Sequence, residues 1–291
     1  MFEGVYTALV TPFSEDGQID DTCLRNLVEF QIGQGVQGLV PMGTTGESPT
    51  VSHSEHIEII RIVVDQCRGR VPVIAGAGSN STDEAVGLSE RAKELGAQAT
   101  LHVAPYYNKP TQEGLYRHYW SIAERVDIPL IVYNIPGRSG VNINNETMLR
   151  LSEHRNIVGV KEATGNLAQA MDLICRKPES LNVLSGDDNM SFPLIALGGK
   201  GVISVASNLL PGEMSRFIGL ALKGKMNEAL KIHYSLLPLF QALFIETNPI
   251  PVKAAMAMKG MLKEVYRLPM CPMSEKNRET LQRVLKELKV L

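Results

Sequence analysis

The chain has 291 residues, a length at which α/β barrels commonly form one domain. Its 29 basic and 31 acidic residues give a formal net charge of -2, which disfavours nucleic acid as a partner. No apolar run approaches the roughly 20 residues of a membrane span, and the N-terminus has no signal-peptide pattern. We therefore expect a cytoplasmic protein with no membrane partner.

Eight short apolar or β-branched runs predict eight strands. They are Val5–Val10, Gly38–Pro41, Val73–Ala75, Ala99–Val103, Leu130–Tyr133, Ile157–Lys161, Asn182–Ser185 and Val202–Val205. Amphipathic stretches between them predict helices over Cys23–Ile32, Ser54–Val64, Thr82–Leu95, Gln112–Ala123, Glu146–Leu151 and Leu167–Ile174. This alternation favours a parallel sheet with helices outside it, and eight such units close into a (β/α)8 TIM barrel. A doubly wound sheet is disfavoured because no Gly-x-Gly-x-x-Gly turn follows the first run.

Four further helical patterns follow the eighth run: Pro211–Ala221, Asn227–Ala242, Pro251–Leu262 and Ser274–Leu288. We expect the first to close the barrel and the other three to form a C-terminal appendage. The chain is accordingly described as a catalytic barrel over residues 1–224 and a helical region over 225–291. No linker-like stretch separates them, so we do not expect independent folding units.

The cysteines are scattered along the chain at Cys23, Cys67, Cys175 and Cys271. They form no Cys-x-x-Cys pair, and none has a histidine partner at metal-ligand spacing. We predict reduced thiols or small buried side chains, and no metal site.

Lys161 lies at the end of the sixth run, where a charged and unpaired lysine is costly to bury. As a neutral amine it is a nucleophile that condenses with a ketone, which predicts a Schiff base with a small 2-oxo acid. The alternative is a structural ion pair with Glu162 or Glu47.

Tyr133 ends the fifth run, next to the sixth in a barrel, so we expect it to approach Lys161. Schiff-base chemistry moves several protons at one carbon, and a tyrosine hydroxyl that passes them to the Thr44 hydroxyl is a suitable relay. The alternative for Tyr133 is a rim tyrosine bonded to a carbonyl.

The Gly43–Gly46 loop places Thr44 and Thr45 between glycines, a pattern that suits close backbone approach to an anion. Its alternative is a plain tight turn. Arg138 is predicted on the loop after the fifth run, where it could clamp a carboxylate or simply be solvated. Gly186 follows the seventh run at the same rim.

Six segments, in this order, resemble the pyruvate-dependent class I lyases related to N-acetylneuraminate lyase. They are Leu9–Phe13, Gly43–Glu47, Pro105–Pro110, Tyr133–Arg138, Gly159–Ala163 and Thr247–Lys253. The resemblance covers essentially the whole chain and is greatest to the members that condense pyruvate with aspartate 4-semialdehyde. It implies the first committed step toward diaminopimelate and lysine, with no dissociable cofactor.

The resemblance also implies roles for individual residues. Lys161 corresponds to the Schiff-base lysine, and Tyr133, Thr44 and Tyr107 to a proton relay in which Tyr107 comes from the neighbouring subunit. Thr45 corresponds to the group that holds the pyruvate carboxylate, and Arg138 to the clamp on the semialdehyde carboxylate. Gly186 and Ile203 correspond to backbone carbonyls that line the pocket. A homotetramer built as a dimer of dimers is therefore expected.

Feedback inhibition by lysine is a further implication. The residues that correspond to the inhibitor pocket of such relatives are Ser48, His53, His56, Asn80, Glu84 and Tyr106. His53 and His56 begin a helix that Ser52 and Glu55 could cap. The alternative is a pair of ordinary solvated helix starts, and Pro49 departs from the small residue that often follows the serine.

Two other functions remain open from the sequence. A 2-keto-3-deoxy sugar acid aldolase or N-acetylneuraminate lyase would share the barrel, the lysine and the tyrosine. Arg138 favours a short acidic aldehyde over the polyhydroxylated substrates of those enzymes. A catalytically silent sensor of 2-oxo acids is the alternative from another class.

Overall fold

A computed structural model describes residues 2–291 and contains eight parallel strands, each within two residues of its predicted bounds. They are β1 Gly4–Ala8, β2 Gly38–Val40, β3 Ile74–Gly76, β4 Ala99–Val103, β5 Leu130–Asn134, β6 Ile157–Glu162, β7 Asn182–Ser185 and β8 Gly201–Ser204. The strand order is β2-β1-β8-β7-β6-β5-β4-β3. β2 and β3 meet through a parallel bridge between Leu39 and Val73, and the Leu39 amide donates to the Pro72 carbonyl at 3.0 Å. The predicted barrel is confirmed.

Twelve helices are found in the described residues 2–291. They are α1 Asp21–Gly33, α2 His53–Cys67, α3 Thr82–Glu94, α4 Gln112–Arg125, α5 Pro136–Ser139, α6 Asn145–Leu151, α7 Leu167–Arg176, α8 Ser191–Ala196, α9 Pro211–Leu222, α10 Met226–Ala242, α11 Ile250–Met258 and α12 Glu275–Glu287. Short 3-10 turns lie at Thr44–Gly46, Ser48–Thr50 and Ala206–Asn208. None of the helices over residues 2–291 has both the length and the apolar character needed to span a bilayer.

Two features differ from the helices predicted from sequence. The short helices α5 and α8 were not predicted, because four and six residues carry too little periodicity to identify a helix. α11 ends at Met258 rather than at Leu262, and Gly260 follows with a φ of +72°, a conformation that ends helices.

Apolar side chains lie both inside the barrel and between the strands and the helices. The interior cluster includes Tyr6, Val40, Ile74, Leu101, Ile131, Tyr133, Leu184 and Ile203. One of the outer clusters joins residues of α1, α2 and α9 to Phe240 of α10, Val252 of α11 and Leu281 of α12. The three C-terminal helices therefore share a core with the barrel.

A capping box fixes the start of α2, as predicted. The Glu55 amide donates to the Ser52 hydroxyl, and the Ser52 amide donates to the Glu55 carboxylate at 2.8 Å. The helix therefore begins at His53, and His53 and His56 lie one turn apart.

Candidate active site

Lys161 and Tyr133 lie side by side on neighbouring strands, as the sequence predicted. The two residues are in register between β5 and β6, so their side chains project from the same face of the sheet. The Lys161 Nζ lies 4.0 Å from the centroid of the Tyr133 ring, and each residue is only 6% exposed. An amine and a phenol are thus held together at the carboxyl ends of the strands.

Burial lowers the pKa of Lys161 from 10.5 to about 8, because the charged ammonium loses its hydration. The negative charges of Asp187 and Asp188 oppose this shift, and the positive charge of Arg138 adds to it. At pH 7 roughly a tenth of Lys161 is therefore the neutral nucleophile, and this fraction grows as the pH rises toward about 8.

A structural ion pair of Lys161 with Glu47 or Glu162 was the alternative from sequence, and it is wrong. Glu47 instead accepts from Lys253 at 2.5 Å. The Glu162 carboxylate accepts from the backbone amide of Thr164 at 2.7 Å.

Gly186 leaves room for the Lys161 side chain. A Cβ atom at position 186 would lie 3.1 Å from the Lys161 Cε and 2.6 Å from the Ala163 Cβ. The latter distance is shorter than carbon atoms tolerate, so a side chain at 186 would displace Ala163 or the lysine.

The Tyr133 hydroxyl lies near enough to the Thr44 side chain for Thr44 to affect its titration. Burial raises the pKa of Tyr133 and the Asp187 carboxylate adds to the effect, while Arg138 and Thr44 oppose it. The phenol therefore keeps its proton at neutral pH and can donate it, as a relay requires.

Thr44 and Thr45 occupy a 3-10 turn directly after β2. The Gly46 carbonyl of this turn accepts from the Thr11 hydroxyl at 2.7 Å, and Thr45 is buried. The Thr45 Oγ1 accepts from the Asn248 Nδ2 at 3.0 Å. The dihydroxyl turn is thus held by the segment that follows β1 on one side and by the C-terminal region on the other.

Arg138 lies in the short helix α5 and not on the irregular loop that the sequence predicted. Pro136 is the first residue of this helix, and its ring fixes φ near the value that a first helical turn requires. The Arg138 guanidinium donates to the Asn248 carbonyl at 3.2 Å and lines a cavity that also borders Thr44.

The remaining predicted residues lie in contrasting environments. Ile203 is fully buried in the interior cluster, in register with Tyr6 of β1. Tyr107 is 89% exposed on this single chain and has a φ of +71°, which is uncommon for a tyrosine. An aromatic ring held out in this way is available to a second subunit.

A cavity of about 330 Å³ extends from Thr44 and Arg138 toward the start of α2. Five of the six predicted inhibitor-pocket residues line it: Ser48, His53, His56, Glu84 and Tyr106. The sixth, Asn80, does not line it, but its side chain donates to the Tyr106 carbonyl at 3.2 Å. Lys161 lies outside this cavity, so the two groups of residues are separate but adjacent.

The charge in this cavity comes from Glu84. Its carboxylate bonds to the Ser79 hydroxyl and lies 2.5 Å from the His53 Nε2, and both contacts lower the pKa of Glu84. His56 is buried with its Nε2 2.7 Å from the Gly76 carbonyl, and burial lowers the pKa of His56. The cavity thus offers an ionised carboxylate in contact with the His53 ring and near the buried His56 ring.

Pro49 is accommodated in the 3-10 turn Ser48–Thr50 that borders the cavity. It lies at the first positions of the turn, where a backbone amide has no partner within the turn. Its missing donor is therefore not a structural defect.

Sequence reasoning missed three residues that lie beside the predicted site. Asp187 and Asp188 come directly after Gly186, and their position at the end of β7 was the available signal. Asp188 accepts from the amides of Val205 and Ala206, at 3.0 and 2.8 Å. Asn248 comes from the C-terminal region, outside the βα loops to which barrel reasoning points.

The chain is similar over nearly its whole length to proteins of one family. A model of the dihydrodipicolinate synthetase family matches residues 1–288. The 4-hydroxy-tetrahydrodipicolinate synthase of Syntrophus aciditrophicus is 55% identical over 285 residues, with 98% of each chain covered. The solved dihydrodipicolinate synthase of Aquifex aeolicus is 50% identical, with a TM-score of 0.98 and 99% of each chain covered. The structure of the Cyanidioschyzon merolae protein with lysine bound is 40% identical, with a TM-score of 0.97 over 100% of this chain and 99% of that one.

The charges around Lys161 predict opposite effects of two substitutions. Asp187→Asn removes a negative charge and should lower the pKa of Lys161 below about 8, whereas Arg138→Ala removes a positive charge and should raise it. The pH dependence of Lys161 acylation by an amine-reactive reagent, followed by mass spectrometry, measures both midpoints. Identical midpoints in all three proteins would contradict this account of the site.

Proposed function

The chain belongs to the dihydrodipicolinate synthetase family, and on that basis we propose that it condenses pyruvate with aspartate 4-semialdehyde. The product is 4-hydroxy-tetrahydrodipicolinate, formed in the first committed step of diaminopimelate and lysine biosynthesis, which is a cytoplasmic pathway. The observation that carries the proposal is the buried Lys161 amine, whose pKa is lowered to about 8, against the ring of Tyr133. The enzyme is a lyase that works through a lysine Schiff base.

In the proposed mechanism the neutral Lys161 amine attacks the C2 carbonyl of pyruvate to give a carbinolamine. Tyr133 donates a proton as hydroxide leaves, which releases water and forms the imine. Loss of a proton from the pyruvate methyl group gives an enamine, whose carbon attacks the aldehyde of the second substrate. Attack of the substrate's own amine on the imine carbon then cyclises the product and frees Lys161.

Each proton transfer in this sequence needs a group that can both give and accept a proton. The Tyr133 phenol, which lies near Thr44, is suited to that role because it stays protonated between turnovers. We assign Tyr107 of a neighbouring subunit as the third member of the relay.

The two substrate carboxylates are assigned to different groups. The Thr45 hydroxyl binds the pyruvate carboxylate, and the backbone carbonyls of Gly186 and Ile203 line the same pocket. Arg138 clamps the semialdehyde carboxylate. Its position on the cavity that also borders Thr44 supports an acidic second substrate over the sugar-derived aldehydes of the related aldolases.

We propose that the enzyme is a homotetramer built as a dimer of dimers, in which paired subunits exchange Tyr107. The exposure of Tyr107 on the single chain supports this assignment.

The division into a catalytic barrel over 1–224 and a helical region over 225–291 is also proposed. One apolar cluster contains residues of α1 and α9 from the barrel and of α10 from the helical region, which supports the folding of the two regions as one unit.

Lysine is the proposed feedback inhibitor, bound in the cavity next to the active site. Glu84 supplies a carboxylate for an ammonium group, and the histidines and Tyr106 supply polar and aromatic walls. A family member of known structure that binds lysine supports this proposal.

Replacement of Lys161 tests the Schiff base. Lys161→Ala should abolish borohydride trapping of pyruvate and lower kcat by several orders of magnitude, because no amine remains to form the imine. Mass spectrometry detects the trapped adduct, and a coupled assay with aspartate 4-semialdehyde measures turnover. Lys259→Ala, a lysine outside the site, is the control, and near-normal turnover by Lys161→Ala would exclude the mechanism.

Mixed subunits test the role of Tyr107 across an interface. In a hybrid of Lys161→Ala and Tyr107→Phe subunits, the site that keeps Lys161 receives an intact Tyr107 from its partner. Isolated hybrid dimers should therefore have about half of the wild-type activity, and an equimolar random mixture, in which about half of the dimers are hybrids, about a quarter. The matched control mixes Lys161→Ala with Tyr133→Phe, where both changes affect residues of one chain's own site and no recovery is expected. Equal behaviour of the two mixtures would place Tyr107 in its own subunit's site or outside the relay.

Substitution of Glu84 tests the inhibitor pocket. Millimolar lysine should inhibit the wild-type enzyme, and Glu84→Ala should remove that inhibition because the ammonium loses its counter-charge. Asp83 is next to Glu84, but its carboxylate pairs with Arg125 at the surface. The Asp83→Asn enzyme is therefore the control and should still be inhibited by lysine. Wild-type activity that is undiminished by millimolar lysine would refute the site.

A further inference from the structure

The segment Thr247–Lys253, which leads into α11 and includes its first turn, directs two buried polar side chains at the turn that carries Thr44 and Thr45. Asn248 is 5% exposed and Lys253 is fully buried. Lys253 contacts Glu47, three residues after Thr44, and Asn248 contacts Thr45 itself. The proposed mechanism assigns no role to this segment.

The hydrogen bond between Asn248 and Thr45 has a direction. The Asn248 Nδ2 donates at 3.0 Å, so the Thr45 oxygen is the acceptor. A threonine hydroxyl has one proton, and that proton is then free to be donated elsewhere. A carboxylate accepts and cannot donate, so a hydroxyl oriented in this way suits a carboxylate ligand.

The remaining polar atoms of Asn248 show where the residue is held, while the bond to Thr45 alone gives the direction of its amide. Its backbone carbonyl accepts from Arg138 at 3.2 Å, which holds the residue between the two proposed carboxylate-binding groups. Its side-chain oxygen is buried and has no hydrogen-bond partner within residues 2–291. Turning the amide over would pair that oxygen with the Thr45 hydroxyl but would take the hydroxyl proton away from the site.

We infer that Asn248 is a positioning residue that makes the Thr45 hydroxyl a donor to the pyruvate carboxylate. The ion pair of Lys253 with Glu47 holds the backbone of the turn, while Asn248 sets the direction of one hydroxyl on it. The inference rests on the proposed function, in which Thr45 binds pyruvate.

An isosteric substitution provides the test. Asn248→Asp keeps the shape of the side chain but replaces the donor with a carboxylate, which must accept the Thr45 proton. The pyruvate concentration that gives half-maximal borohydride trapping at Lys161 should rise about tenfold or more. Asn248→Ala, which removes the bond without reversing it, should give a smaller rise. A residue that only filled space would show the opposite order.

The same two substitutions in a Thr45→Val protein distinguish an effect of the hydroxyl direction from charge repulsion between the new carboxylate and the substrate. In Thr45→Val there is no hydroxyl to turn, so Asn248→Asp and Asn248→Ala should have equal effects on trapping. If Asp remains worse than Ala in that background, repulsion of the substrate explains the effect and the inference is wrong. Asn227→Asp, an exposed residue near the start of α10, is the control and should match wild type.

The trapping assay needs only pyruvate, so it separates the inference from the proposed function. If wild type traps pyruvate but makes no product with aspartate 4-semialdehyde, the proposed function fails and the Asn248 series still reports on Thr45. If wild type is fully active and Asn248→Asp is no worse than Asn248→Ala, the inference alone is overturned. Absence of any trapping by wild type would overturn both.

Discussion

The buried ion pair between Lys253 and Glu47 is the contact on which the geometry of the active-site turn depends. Both side chains are withdrawn from water, and their charged atoms lie 2.5 Å apart. Removing one partner of such a pair typically costs about 3–5 kcal/mol, because the other charge is left buried and uncompensated. The Lys253 ammonium also lies 4.5 Å from the Phe13 ring centroid. Since Glu47 closes the turn that begins at Thr44, the C-terminal region and the dihydroxyl turn cannot move apart independently.

The electrostatics around Lys161 balance two opposing requirements. Burial favours the neutral amine that attacks a ketone, whereas the acidic residues Asp187 and Asp188 favour the ammonium. The resulting pKa of about 8 keeps some of the amine neutral near neutral pH, and the same acidic neighbours would stabilise a positive charge on the imine nitrogen of the proposed Schiff base. A lysine with no acidic neighbours would attack readily but would stabilise the protonated imine less well.

The sequence was sufficient for the barrel and for its central pair of residues. Strands buried on both faces appear as apolar runs, so a polar residue at the end of a run is conspicuous, as Lys161 and Tyr133 are. Asn248 could not be assigned in this way, because its position beside Thr45 depends on how α10 and α11 pack against the barrel. The helical setting of Arg138 was missed for a different reason, since a four-residue helix has no periodicity. The charged neighbours of Lys161 were adjacent in sequence to Gly186 and could have been found.

The late position of Asn248 and Lys253 in the chain has a consequence for protein synthesis. Domains emerge from the ribosome N-terminal end first, and all eight strands are complete once Ser204 has been added. At that stage Lys253 and Asn248 have not yet been added, so Glu47 lacks its ion-pair partner and Thr45 lacks its hydrogen-bond donor. The apolar side chains that later pack against α10–α12 are still exposed to solvent. A nascent or prematurely terminated polypeptide can thus contain Lys161, the proposed Schiff-base residue, and yet lack the contacts that hold the Thr44–Thr45 turn, which form only near the end of translation.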